Sequence, residues 1–215
     1  MSAILAIGLV ASPTTASAQL VDPDAPKPEP ILPDEDAIIP PVDDVPTPQA
    51  RETMEPDDRL DRLFAELKRT RDERLAKPLA DGIWAHWRKS GSATTDLFVE
   101  WANDAMRRGD LNVASDLLDQ VVLRHPDYAE GWNRRATLHF QMNNFRKSMN
   151  DIAKVLELEP RHFGALSGMA AILERSGNSE AALDAWLKVA ELYPAMKNAQ
   201  DAIERLSEQL ADDPV

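Results

Sequence analysis

From residue 95 to residue 196 the apolar positions of the chain come round every 34 residues, without insertion or deletion. Windows 95–128, 129–162 and 163–196, set beneath one another, align Ala102, Ala136 and Ala170, then Ala114, Ser148 and Ala182. Larger residues fall in register between them: Phe98, Trp132 and Leu166; Leu118, Ile152 and Trp186; Val121, Val155 and Val189. Within each window the apolar residues keep helical spacing, so each reads as two amphipathic helices. The small residues at matched positions let the two helices approach closely.

The polar breaks keep the same period. "RGDL", "MNNF" and "SGNS" place Gly109, Asn143 and Gly177 in register. Glycine and asparagine tolerate the left-handed conformation that ends a helix. Asp110, Asn144 and Asn178 follow and are good N-caps for the next helix. Pro126, Pro160 and Pro194 stand just past each second helix, where proline stops it. The expected class is therefore all-α, a stack of helix–turn–helix units.

At these positions the chain resembles the tetratricopeptide repeat family, whose pattern is a large apolar residue, Leu-Gly, an aromatic, then Ala, Phe and Pro. Window 163–196 carries it through Leu166, Met169, Ala170, Leu173, Ala182, Trp186, Val189 and Pro194. The other two windows match comparably, and the likeness covers about half the chain. "EGWNRRATLHF" and "EPRHFGALSG" are similar to strings in a subgroup of bacterial members. The resemblance implies a helical solenoid with repeats at 95–128, 129–162 and 163–196. Residues 59–94 read as a degenerate repeat-like helix pair that keeps Phe64, Leu67, Ala80, Trp84 and Trp87 but departs at Lys68 and Arg71. Gly82 weakens the second helix of that pair. Residues 197–212 read as a capping helix, with Ala199, Ile203, Leu206 and Leu210 inward and Asp201, Glu204 and Arg205 outward.

The first 58 residues are different in kind. Residues 3–11 are apolar apart from Gly8, and Ala16-Ser17-Ala18 has the small-x-small form of a signal-peptidase site. No Lys or Arg precedes the apolar run. The expectation for 1–18 is a signal peptide cleaved near Ala18, giving a periplasmic or secreted protein; the alternative is a cytoplasmic tail. Nine residues are too few to span a bilayer, so no permanent membrane anchor is expected. Residues 19–58 hold ten prolines and twelve acidic residues against Lys27 and Arg51, most of the chain's net charge of −13. That composition is expected to be disordered. It reads as a solubilising linker or as a recognition segment, with "AIIPP" as its apolar island.

Composition narrows the function classes. The chain has no cysteine, which excludes disulfides, thiolate catalysis and cysteine metal sites. His86, His125, His139 and His162 form no HExxH and no i, i+4 pair, so no metal and no cofactor is expected. Phosphate loops, GxGxxG and GxSxG are absent, and "GALSG" lacks a strand–elbow context. Carboxylates on repeat helices read as solvated faces. No enzyme is expected, and the acidic balance disfavours nucleic acid.

A binding module remains. The resemblance implies a concave groove, lined by the first helices, that takes an extended or helical peptide. By position it includes Val99, Glu100 and Asn103; Asn133, Arg134, Thr137 and Gln141; and Ser167, Ala171, Glu174 and Arg175. These do not reproduce the Lys/Asn carboxylate clamp of chaperone-binding members. Arg135 and His139 are more polar than the neighbouring repeats require, and with Arg161 and His162 they suggest an inter-repeat polar pocket. The alternative is packing, with the Arg135 stem along the repeat interface and its head on an acid. Two functions stay open: an envelope adaptor with a protein or peptide in its groove, and a structural array. In the second, copies self-associate or the acidic segment fills the groove.

Overall fold

The computed structural model describes residues 58–212. The signal-peptide reading and nearly all of the acidic linker lie outside them. Nine helices and no strands occur among the described residues: α1 (Asp58–Leu67), α2 (Glu73–Trp87), α3 (Ala93–Arg108), α4 (Leu111–Arg124), α5 (Ala129–Gln141), α6 (Phe145–Leu158), α7 (Phe163–Arg175), α8 (Ser179–Leu192) and α9 (Lys197–Asp212).

The three expected pairs are α3/α4, α5/α6 and α7/α8. Ala102, Ala114, Ala170 and Ala182 are fully buried, and Ala136 and Ser148 nearly so. Ser148 also donates its hydroxyl to the Ala136 carbonyl (2.8 Å), so this small residue adds a bond to the close approach. Each intra-pair turn uses a left-handed residue: Gly109 at φ 84°, Asn143 at 56° and Gly177 at 76°. The next backbone N–H bonds back to the fifth residue before it, Asp110 to Ala105 (2.9 Å), Asn144 to His139 (2.8 Å) and Asn178 to Leu173 (3.0 Å). Those bonds satisfy carbonyls that the ending helix would leave open. The N-cap expectation holds in part: Asn178 accepts from the Ala181 N–H, whereas Asp110 and Asn144 make no side-chain cap bond.

α9 closes one end, burying Ala199, Ala202 and Leu206 against the third pair and keeping Asp201, Glu204 and Arg205 outward or at its border. The helix pair α1/α2 also forms, and Gly82 is accommodated because Leu63 packs within 3.3 Å of where its Cβ would stand. Its placement departs from an in-line first repeat. Leu60, Phe64, Ile83 and Trp87 share one core with Phe163, Leu166, Ala170, Val189 and Leu206. The pair therefore packs on α7 to α9 instead of α3. A physical reason is visible at Gly164, whose missing Cβ admits the Trp84 ring to the α7 backbone.

Candidate functional site

α5 and α7 are the first helices of consecutive repeats, and a mainly apolar depression of about 150 Å³ opens between them. Asn133, Thr137 and Phe140 line one side, and Gly164, Gly168 and Ala171 the other, with Ile152 among the lining residues. The depression exists because α7 carries glycine or alanine at three successive facing positions. Arg175 lies over Phe140 and Phe145, 5.5 and 5.6 Å from the ring centres, and sets a cation beside them.

Of the groove residues expected from sequence, Asn133, Thr137 and Ala171 converge on this depression. Ser167 faces a second one, lined also by Lys77, Trp84, Phe163, Trp186, Tyr193 and Met196. Asn103 and Gln141 line neither. Because Trp84 lies against Gly164, α2 covers one end of the first-helix face.

Arg134, a groove residue by position, pairs with a buried carboxylate of its own helix. Glu130, in the first turn of α5, is buried to 1% exposure, and the Arg134 guanidinium lies 2.5 Å from its Oε1. Asn133 donates to Oε2 at 2.8 Å, and His162 Nε2 stands 3.3 Å from the same oxygen. His162 is the N-cap of α7 and its Nδ1 accepts the Ala165 N–H at 3.1 Å, which leaves the ring proton on Nε2, directed at Glu130. The other face of the imidazole stacks on Trp87 with centres 4.0 Å apart. One buried carboxylate thus ties α5, α7 and α2 together. Burial alone would raise its pKa, but the His162 hydrogen bond, the Arg134 charge and the Asn133 amide together hold it below the usual carboxylate range.

The four residues of the suggested polar pocket do not come together as one pocket. Arg135 makes a bidentate pair with Asp151 of α6 (2.9 and 2.7 Å) and reaches Asp119 of α4 at 2.8 Å. His139 joins it, 3.8 Å from Asp151. Burial lowers the His139 pKa, with Asp151 pulling it upward and Arg135 downward. This cluster bridges two repeats, and the Arg135 stem lies along their interface as the packing alternative has it. Arg161 and His162 belong instead to the seam with α1/α2. Arg161 pairs with Glu159 (3.0 Å) and Asp61 (2.6 Å) and sits over the Phe64 ring at 4.4 Å.

Sequence reasoning missed Glu130, Asp151, Gly164 and Gly168. The two carboxylates were read as solvated helix faces, yet both are buried. The glycines, four residues apart on one helix face, were the available signal. Among the described residues no group of histidines and carboxylates could hold a metal ion. No described helix is long and apolar enough to cross a membrane.

The comparisons with known proteins agree with this geometry. Residues 99–145 and 133–197 match the tetratricopeptide repeat family. A TPR repeat-containing protein of Rhizobium etli is 50% identical over 163 residues, 76% of this chain and 80% of its own length. The chain belongs to the tetratricopeptide repeat family. Among solved structures, the first TPR of Spaghetti (RPAP3) bound to an HSP90 peptide superposes with a TM-score of 0.52 at 21% identity. That match covers 54% of this chain and 93% of the other. The TPR2B domain of yeast Sti1 in its Hsp70 complex gives 0.51 at 18% identity, covering 55% of this chain and 99% of the domain. The shared fold is a protein-interaction module and is generally non-catalytic.

Proposed function

We propose that the chain is a non-enzymatic adaptor that holds a protein segment on its first-helix face, with a bulky apolar side chain of the partner in the depression between α5 and α7. The carrying observation is the depression itself, open, largely apolar and floored by Gly164, Gly168 and Ala171. Asn133 and Thr137 add polar atoms at its wall for a peptide backbone, and Arg175 stands nearby. Small pockets with a few placed polar groups suit such anchors. The apolar run and Ala16-Ser17-Ala18 support a bacterial cell envelope as the place of work, after export to the periplasm.

The test is crosslinking capture from the envelope fraction of the native host, comparing wild type with Ala171→Phe. The larger side chain fills the depression from a half-buried position, so capture should fall while the melting temperature holds. An unchanged set of captured proteins refutes the reading. A second reading, in which the chain closes its own groove, is favoured by α2 lying over Gly164. It requires that Trp84→Ala increase capture, whereas the first requires no gain.

A further inference from the structure

α3 leaves a stripe uncovered that its counterpart α5 buries. Leu97 and Trp101 are 39% and 49% exposed, and the half-buried Phe98 ring lies 6.1 Å from Trp101. At about 100° per residue, Leu97, Trp101, Asp104 and Arg108 share one side of the helix, opposite the buried Thr95, Val99 and Ala102. The same register in α5 is Gly131, Arg135 and Leu138. There it faces the preceding repeat: a Cβ on Gly131 would stand 2.7 Å from Val121 of α4, and Arg135 bonds Asp119 of α4. Leu138 is fully buried in a core with Leu118 of α4. In α3 these repeat-interface positions meet no preceding helix among the described residues, because α1/α2 packs on α7 to α9. The opposite end is closed by the polar-backed α9. End units of a solenoid need a solvated outer face, and α3 does not supply one.

We infer that this stripe is a docking surface for a second copy of the chain, pairing α3 with α3 antiparallel about a two-fold axis. The order of charges selects that occupant. The exposed Glu100 lies in the first half of α3, and Arg107 and Arg108 in its last turn, Arg108 sharing its charge with the exposed Asp110. Antiparallel pairing sets the acidic half of each copy against the basic end of the other, twice, and opposes the helix dipoles. Trp101 of both copies then lies beside the axis, and Leu97 packs toward the ends of the pairing. Asp104, near the axis, is already paired with Arg107 of its own helix. One helix face of 16 residues is about 24 Å long, so the interface falls at the small end of specific contacts and the dimer is reversible. The stripe lines neither depression on the first-helix face, so this pairing and partner capture are tested separately.

Sedimentation velocity of the full chain over a range of micromolar concentrations tests it. The expected result is a concentration-dependent dimer, weakened about tenfold or more by Trp101→Glu with an unchanged thermal melt. Glu100→Arg and Arg108→Glu should each weaken self-pairing, because each sets like charges opposite one another twice. An equimolar mixture of those two variants should recover a dimer, since every facing pair is again opposite in sign. A chain that stays monomeric throughout overturns the proposal. So does a dimer indifferent to Trp101→Glu, or a mixture no stronger than its components.

Discussion

Gly164→Ala tests whether α2 rests on α7 as the structure has it. A Cβ at that position would lie 2.5 Å from Trp84 Cη2, 2.9 Å from Cζ2 and 3.3 Å from His162 Cε1. Comfortable carbon contacts begin at about 3.5 Å, so the Trp84 ring must retreat by about 1 Å. It has little room, being held edge-on to Trp87 (5.3 Å), Phe163 (5.4 Å) and His162 (5.4 Å). Overpacking of this kind costs about 1–3 kcal/mol. Alanine returns up to about 1 kcal/mol through its better helix propensity. In wild type the overlap should win and Gly164→Ala should destabilise. In a Trp84→Ala background the obstruction is gone, and the same change should be neutral or mildly stabilising. The four proteins of that cycle, followed by urea denaturation, should show a coupling of about 1–3 kcal/mol. For a domain of this size that is about 2–12 °C of melting temperature. Effects additive within about 0.5 kcal/mol would refute the docking of α2 at Gly164.

Further outcomes are expected. Glu130→Ala removes the acceptor on which Arg134, Asn133 and His162 converge and should cost about 1–3 kcal/mol by leaving the buried Asn133 amide and His162 N–H unpaired, while the partly exposed Arg134 regains water. The folded pKa of Glu130 is below its ordinary 4.5 and that of His139 below 6.5. Both groups therefore contribute stability that is complete above those ordinary values and is lost as pH falls through the folded ones. Denaturation midpoints should be level above about pH 7 and decline in acid, with the His139 part absent from His139→Gln; stability rising on acidification would contradict both. At the repeat turn, Ala136→Leu should overpack by about 1–3 kcal/mol. Asn143→Gly should be near neutral and Asn143→Val destabilising, because φ is 56° there; thermal melts in which Asn143→Val were harmless would contradict the turn.

The helices and turns of the three repeats were legible in the sequence because their causes are local. A small residue at 102, 136 and 170 and a left-handed residue at 109, 143 and 177 act within one helix pair, and the 34-residue period states each cause three times. Arg135 was also placed correctly at a repeat interface, since a rotation of about 100° separates it from Arg134. The pairing of Arg134 with a buried Glu130 was not legible. Whether a carboxylate is solvated or buried depends on what packs over it, and Glu130 is covered by His162, 32 residues away. The same holds for α1 and α2. Their amphipathic pattern specifies that they bury one face, but the choice between α3 and α7 to α9 was made by shape. Gly164 offers Trp84 a surface without a Cβ, and His162 offers Trp87 a ring to stack on. Local propensity determined the repeats; complementarity between residues distant in sequence decided where the groove stays open and which helix face is left without a neighbour.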